Sequence, residues 1–172
     1  MKKLLIVVDM QHDFVDGALG SPDAQAIVPN VKARIEEYRQ NGDAIIFTKD
    51  THFENYMETS EGKHLPVPHC ISGTEGWMIL DELYNEGEKI VLKPTFGSIT
   101  LMTLPEVKEA DEIEIVGLCT DICVMSNAIL LKAAYPEKRI AVNKDCTAAT
   151  SLLAYKSSMV VFESCQIEIV GG

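Results

Sequence analysis

The stretch that decides the fold runs from Glu112 to Tyr135 and reads EIEIVGLCTDICVMSNAILLKAAY. It opens with Glu112–Val116, a short run rich in Ile and Val that predicts a buried strand. It closes with Ile122–Ala134, which predicts a helix. Between them lies a bend that carries two thiols, Cys119 and Cys123. A strand that leads directly into a helix is typical of an α/β protein.

The same alternation of apolar runs and amphipathic stretches continues along the whole chain, which predicts a single domain over residues 1–172. Six runs predict strands, namely Leu4–Val8, Ala44–Thr48, Lys89–Leu92, Glu112–Val116, Arg139–Val142 and Gln166–Val170. Five stretches predict helices, namely Ile27–Gln40, Trp77–Asn85, Leu104–Ala110, Ile122–Ala134 and Thr147–Ser158. The pattern predicts an α/β fold with a doubly wound, mostly parallel six-stranded sheet that has helices on both faces.

Composition narrows the class of partner. Of the 172 residues, 47% are hydrophobic, which is ordinary for a globular protein. The net charge of −11 argues against a nucleic-acid partner, because phosphate binding depends on Lys and Arg. No run approaches the roughly 18 apolar residues of a membrane span, and the apolar run before Asp9 is too short for a signal peptide. Five cysteines, an odd number, favour free thiols in a reducing compartment. We therefore expect a cytoplasmic protein with a small-molecule substrate.

Chemically active residues follow four consecutive predicted strands. They are Asp9, the pair Asp50 and His52, Lys93, and the cysteine bend. In a doubly wound sheet the functional site forms at the carboxyl ends of the strands. The sequence therefore predicts an active site in which a carboxylate, an ammonium and a thiol lie together.

Cys123 is the candidate nucleophile. Its place in the first turn of the predicted helix and a nearby ammonium, Lys93, predict a lowered thiol pKa. Asp9 could accept the thiol proton and deliver it to a leaving amine. Backbone N–H groups of the bend could stabilise an oxyanion. This set predicts nucleophilic acyl transfer.

A structural role is the alternative for each cysteine taken alone. A cysteine in an apolar helix is usually a small core residue, and we favour that interpretation for Cys119, Cys146 and Cys165. Cys119 and Cys123 lack the spacing and the second pair that a zinc site of the C-x₂-C type requires.

A second polar cluster lies in a long segment after the second strand. Its members are Asp50, His52, Glu54, Glu58, Glu61, His64 and His69. Asp50 and His52 alternate along extended chain, so both can face one side. An Asp, two His and a Glu make a plausible site for Zn²⁺, Mn²⁺ or Fe²⁺. A polar surface loop is the alternative.

Four motifs, in order, resemble the isochorismatase-like cysteine hydrolases, and among them the nicotinamidases. They are Asp9–Phe14 (DMQHDF), Asp50–His52 with Pro68–Gly76 (DTH and PHCISGTEG), Lys93–Ser98 (KPTFGS) and Gly117–Val124 (GLCTDICV). The resemblance covers essentially the whole chain. It implies the isochorismatase-like hydrolase fold, the catalytic triad Asp9, Lys93 and Cys123, and an oxyanion hole formed by the N–H groups of Cys119 and Cys123. It also implies a cis peptide bond between Leu118 and Cys119.

The resemblance further implies a divalent metal, zinc first with manganese or iron as alternatives, held by Asp50, His52 and His69. For a fourth ligand we choose Glu61 on its distance from the Pro-His pair, with Glu58 and His64 as alternatives. In that family the metal holds the pyridine nitrogen of nicotinamide, which is hydrolysed to nicotinate and ammonia. The family also implies a homo-oligomer.

The sequence departs from the nicotinamidase pattern in its length and at Leu65–Pro68, where an aromatic residue is often found. Substrate stacking would then depend on Phe14 or Phe96. This departure leaves a second function open, a cysteine hydrolase of the same family that acts on a carbamoyl or ureido compound. A non-catalytic binding protein is a third, and it requires an unreactive Cys123.

Overall fold

The computed structural model describes all 172 residues, and its six strands form one fully parallel sheet. The strands are β1 (Lys3–Val8), β2 (Ala44–Asp50), β3 (Lys89–Lys93), β4 (Glu112–Leu118), β5 (Arg139–Ala148) and β6 (Glu168–Val170). Their order across the sheet is β3-β2-β1-β4-β5-β6. The predicted α/β class and sheet are confirmed, and the sheet is parallel throughout.

Helices cover both faces of this sheet. They are α1 (His12–Val15), α2 (Pro22–Ala26), α3 (Val28–Asn41), α4 (Ser60–His64), α5 (Pro105–Glu109), α6 (Met125–Ala134) and α7 (Leu152–Ser164). Short 3₁₀ turns occur at Tyr56–Glu58, Glu75–Trp77 and Leu101–Thr103, and a π-helical turn at Thr120–Val124 leads into α6. None of these helices is both long enough and apolar enough to cross a membrane.

The two faces of the sheet build two separate hydrophobic clusters, since successive side chains of a strand point to opposite faces. On β1, Leu4, Ile6 and Val8 join the cluster that includes α6 and α7. Leu5 and Val7 join the cluster that includes α3. All five side chains are fully buried, which explains why the strand is apolar throughout.

The order of the strands places the site. The chain runs outward from β1 to β3 on one side and from β4 to β6 on the other, so the direction reverses between β1 and β4. A crevice at the carboxyl ends of the strands is expected at such a reversal. The four strand ends that carry Asp9, Asp50, Lys93 and the cysteine bend belong to four adjacent strands.

The backbone is close-packed where β1 meets β4. Gly117 has a φ of +114°, and a Cβ at this position would lie 2.1 Å from the carbonyl oxygen of Val8. Asp9, the next residue of the chain after Val8, has a φ of +49°, which is uncommon for a residue with a side chain. Only a glycine fits opposite Val8.

The predicted helix at Trp77–Asn85 is wrong. The carbonyl of Met78 accepts a hydrogen bond from the N–H of His12, in the segment after β1, and the N–H of Leu80 donates to the carbonyl of Met10. Ile79 also forms an antiparallel bridge with Gln11. Backbone groups that a helix would need are thus paired with the segment that follows β1, a partner that lies far away in sequence.

The predicted helix Thr147–Ser158 begins too early. Thr147 and Ala148 extend β5 and pair with Gly117 and Leu118 of β4. The helix begins at Leu152, after Ser151, whose side chain accepts a hydrogen bond from the N–H of Ala154. The longer strand lies opposite the cysteine bend and supports it.

Candidate active site

Asp9 lies at the carboxyl end of β1, fully buried. Its N–H donates to Thr48 Oγ1 at 3.2 Å, and that hydroxyl donates to Asp9 Oδ1 at 2.6 Å. Thr48 belongs to the neighbouring strand β2, so the sheet itself fixes the carboxylate. Sequence reasoning did not identify Thr48, because its role depends on the register between β1 and β2.

Lys93 brings the predicted groups together. Its side chain is fully buried at the end of β3, and Nζ lies 2.6 Å from Asp9 Oδ2 and 3.4 Å from Cys123 Sγ. Nζ also lies 3.3 Å from Asp50 Oδ1 and donates to the carbonyl of Thr95 at 3.0 Å. Burial alone would lower the pKa of this ammonium, but the negative charges of Asp9 and Asp50 and the contact with Cys123 raise it above its ordinary value.

Cys123 lies in the π-helical turn, with 5% of its surface exposed. The predicted lowering of its pKa is wrong. Burial and the charge of Asp9 raise the thiol pKa well above its ordinary value, and Lys93 only opposes them. Nucleophilic attack by a thiol with a raised pKa would need a base that takes the thiol proton.

Asp9 is suited to be that base. Burial raises the pKa of its carboxyl, and the opposing charge of Lys93 does not cancel this effect. A carboxylate with a raised pKa is a stronger base than an ordinary one and accepts a thiol proton more readily. Burial thus raises the pKa of both Asp9 and Cys123, and both side chains contact the same ammonium.

The cysteine bend has the predicted cis peptide bond between Leu118 and Cys119. The N–H of Cys119 donates no hydrogen bond within the protein. Burial and the charge of Asp121 raise the pKa of the Cys119 thiol to about 12. Of the two thiols in the bend, only that of Cys123 contacts Lys93.

Four predicted ligands form a compact group beside the triad. The ligand atoms of Asp50, His52, Glu61 and His69 all lie within 4.8 Å of one another. Nε2 of His52 lies 2.9 Å from Asp50 Oδ2, and Glu61 Oε1 lies 3.5 Å from Nε2 of each histidine. Two imidazoles and two carboxylates directed at one point form a donor set that can hold a divalent metal.

The alternatives to Glu61 lie away from this group. Glu58 and His64 are both exposed, and His64 Nδ1 contacts the carbonyl of Ser60. The chain turns inward at α4, and this turn brings Glu61 next to the two histidines.

The pKa values of all four side chains in this group are strongly shifted. Burial alone would lower the pKa of both histidines, but hydrogen bonds to Asp50 and Glu61 raise it to about 9 at His52 and about 10 at His69. Burial alone would raise the pKa of Glu61, but hydrogen bonds from the histidines lower it to about 2. The same contacts hold the pKa of Asp50 well below its usual range. A divalent metal would bind the same histidine nitrogens in place of their protons, since a ligand nitrogen must be deprotonated.

Buried neighbours orient these ligands. His69 Nδ1 donates to the carbonyl of Val67 at 2.8 Å, which leaves Nε2 facing the other ligands. Gln11 accepts from the N–H of Asp50 and donates to its carbonyl, both at 2.8 Å. Asp13 Oδ2 accepts from the N–H of Cys70, the residue after His69. The motif at Asp9–Phe14 therefore fixes two ligands as well as supplying Asp9.

A cavity of about 260 Å³ opens beside the Cys123 thiol and the candidate metal ligands. It is lined by Phe14, Leu19, Asp50, Glu61, Leu65, His69, Phe96, Cys119, Ile122, Cys123 and Thr150. Phe14 and Phe96, the predicted substrate-stacking residues, are both in the lining, and the Phe14 ring lies 5.4 Å from that of His69. Leu19, Leu65, Ile122 and Thr150 were not predicted, since no local pattern distinguishes a lining residue from an ordinary loop residue.

A profile of the Isochorismatase domain matches residues 3–171. The chain belongs to the isochorismatase family. An isochorismatase family protein of Bacillus subtilis, PncA, is 30% identical over 164 residues, which is 87% of each chain. The pyrazinamidase of Pyrococcus horikoshii, solved in complex with zinc, is 26% identical with a TM-score of 0.88 and full coverage of both chains. A pyrazinamidase/nicotinamidase of Streptococcus mutans is 27% identical, with a TM-score of 0.86, and covers 98% of this chain and 100% of its own.

Proposed function

We propose that this isochorismatase-family protein is a cysteine amidohydrolase that converts nicotinamide and water to nicotinate and ammonia. One observation carries the proposal. Lys93 Nζ lies 2.6 Å from a buried carboxylate and 3.4 Å from the buried thiol of Cys123, and this thiol lines a cavity that Asp50, Glu61 and His69 also line. The names of the related pyrazinamidases support an amide as substrate.

The first half of the reaction forms a thioester. The sulfur of Cys123 attacks the carboxamide carbon while Asp9 takes the thiol proton, and Lys93 stabilises the negative charge that develops on sulfur. Asp9 then delivers its proton to the amide nitrogen, the carbon–nitrogen bond breaks and ammonia leaves.

The second half reverses these roles. Asp9 removes a proton from water, the oxygen attacks the thioester carbon, and Cys123 leaves as a thiolate that regains its proton. In both halves the substrate oxygen becomes negative, and the N–H groups of Cys119 and Cys123 are proposed to hold it.

The four ligands would hold the metal, and we propose zinc. Asp50, His52, Glu61 and His69 supply nitrogen and oxygen donors suited to Zn²⁺, with Mn²⁺ and Fe²⁺ as alternatives. When bound, the ion would offer a Lewis-acidic position for the ring nitrogen of nicotinamide. Phe14 and Phe96 would enclose the ring on the apolar walls of the cavity.

The cavity favours this substrate over the alternative. Many carbamoyl and ureido substrates carry a carboxylate, which a Lys or Arg in the lining would bind. The lining contains two carboxylates, Asp50 and Glu61, and neither Lys nor Arg. A neutral aromatic amide is the better electrostatic match. The missing ring at Leu65–Pro68 is offset by Phe14 and Phe96.

We further propose a cytoplasmic location and assembly into a homo-oligomer. The five unpaired cysteines support a reducing compartment. Size measurement by analytical ultracentrifugation would test the assembly.

The decisive experiment is ammonia release from nicotinamide by the zinc-loaded protein and by its Cys123→Ala variant. We expect release by the first and none above background by the second. Cys146→Ala is the matched control, because it removes a buried thiol of β5 that is outside the cavity. Release by Cys123→Ala would contradict the mechanism, and no release by either protein would remove nicotinamide as substrate. Metal analysis of the purified protein identifies the ion.

A further inference from the structure

The side chain of Asn127 joins two parts of the site that are distant in sequence. It lies on α6, four residues after Cys123, and is fully buried. Its Nδ2 donates to the carbonyl of Cys123 at 2.8 Å and to the carbonyl of Phe96 at 3.2 Å. Its Oδ1 accepts from the N–H of Ser98 at 3.0 Å. Both donor hydrogens and the acceptor oxygen are thus in use.

These bonds tie the nucleophile to the segment 94–98, which follows Lys93. The same segment is held at its other end by Lys93 Nζ, which donates to the carbonyl of Thr95. It also packs closely on α6, since a Cβ at Gly97 would lie 2.7 Å from Leu130 Cδ1. Asn127 is the only side chain that bonds the backbone of Cys123 and this segment together.

Phe96 depends on its backbone for its position. Its ring lines the cavity beside Cys123, yet 43% of the residue is exposed, so packing alone does not fix the ring. The hydrogen bond from Asn127 to the Phe96 carbonyl and the one from the Ser98 N–H hold the backbone on both sides of Gly97. The distance between the cavity wall and the sulfur is therefore set through Asn127.

We infer that Asn127 is a positioning residue that sets the width of the substrate cavity between Phe96 and Cys123. The choice of nicotinamide as the substrate rests on the proposed function, whereas the hydrogen bonds of Asn127 do not depend on it. Displacement of a reacting group by about 1 Å can cost roughly a hundredfold in rate. Loss of Asn127 should therefore weaken substrate binding at Phe96 and misplace the carboxamide relative to the sulfur.

The test compares Asn127→Ala with Leu131→Ala, a variant one turn further along α6 that opens a cavity in the core and lies outside the lining of the substrate cavity. We expect kcat/KM for nicotinamide to fall about 10- to 100-fold in Asn127→Ala, with a raised KM. Leu131→Ala should lose stability in thermal unfolding while kcat and KM stay unchanged. Asn127→Asp is the second variant, in case Asn127→Ala does not fold, because it keeps the volume but sets a carboxylate against two carbonyls.

A second readout does not need the substrate. The rate at which Cys123 is alkylated is measured by peptide mass spectrometry with iodoacetamide and with the bulkier N-phenylmaleimide. If the cavity is wider, the alkylation rate with N-phenylmaleimide divided by the rate with iodoacetamide should rise in the Asn127 variants. The same ratio should stay unchanged in Leu131→Ala. An unchanged ratio, or kinetic constants equal to those of the native protein, would overturn the inference. If the native protein releases no ammonia, the proposed function fails while the alkylation ratio still decides the role of Asn127.

Discussion

Two buried clusters on the same sheet pair a cation with a carboxylate, and the pKa of the carboxylate is shifted in opposite directions in the two. At the strand ends, Asp9 contacts Lys93, which it shares with Cys123 and Asp50. On the α3 face of the sheet, Glu114 contacts Arg34. Both carboxylates are buried, yet the pKa of Asp9 is raised and that of Glu114 is lowered.

The difference lies in the number of donors that each carboxylate receives. Glu114 accepts two hydrogen bonds from Arg34, one from Tyr38 and one from Asn143. These bonds outweigh burial, which alone would raise the pKa of Glu114. Asp9 has Thr48 and part of one ammonium. A fully satisfied carboxylate stays ionised and stabilises the fold, whereas an under-satisfied one can take up a proton.

Replacement of the carboxylate by the corresponding amide should sharply lower activity in one cluster and not in the other. Asp9→Asn removes the proton acceptor and keeps the volume, so kcat/KM for ammonia release should fall about 100- to 10,000-fold. Glu114→Gln makes the same chemical change outside the site and should leave kcat and KM unchanged. Steady-state kinetics on both variants check this, and a large activity loss in Glu114→Gln would show that the clusters are not separate.

Glu114→Gln should lower the stability of the fold although it leaves activity unchanged. Glu114→Gln leaves the guanidinium of Arg34 without its charged partner, and we expect the free energy of unfolding to fall by about 1 to 3 kcal/mol. Urea unfolding at neutral pH measures the change. Glu112→Gln is the control, because Glu112 pairs with the more exposed Arg139 and should cost about 1 kcal/mol or less.

The pH dependence of this stability has a definite sign. Since the folded-state pKa of Glu114 is lowered, its contribution is present above the ordinary carboxyl pKa and is lost as the pH falls through the lowered value. The difference in unfolding free energy between the native protein and Glu114→Gln should therefore close in acid. A gap that stayed constant with pH would mean that the charge of Glu114 is not what stabilises the fold.

The smallest effect should come from removal of one donor from Asp9. Thr48→Val deletes the hydroxyl that donates to Asp9 Oδ1, and this bond lowers the pKa of Asp9. The pKa should rise further, so the acidic limb of kcat/KM moves to higher pH and the rate near neutrality falls about tenfold or less. Ser158→Ala removes a buried hydroxyl of α7 and should leave the pH profile in place.

Much of the site was predictable because strand ends in a parallel sheet must meet at one edge. Asp9, Asp50, Lys93 and the cysteine bend follow four apolar runs, and the structure brings them together. The family and the α/β fold were confirmed for the same reason, since the motifs and the apolar runs are local patterns. The roles of the individual site residues stay predictions until the variants are measured.

The failures share a physical cause, which is dependence on distant partners. The segment at Trp77–Asn85 has a helical pattern but bonds to residues 10–12 instead. The thiol pKa of Cys123 was predicted from a helix end and one cation, whereas complete burial and the charge of Asp9 decide it. Thr48 and Asn127 act through contacts with strands and loops that no spacing in the sequence discloses.

The sequence by itself determined which chemical groups this protein has and at which edge of the sheet they lie, because alternating apolar runs and strand-end residues are local. The tertiary structure alone decided how those groups behave. Burial, the register of β1 against β2, and the packing of segment 94–98 on α6 set the direction in which the pKa of a buried carboxyl shifts and how wide the cavity is. These properties depend on distances between atoms that are far apart along the chain, and such distances exist only after folding.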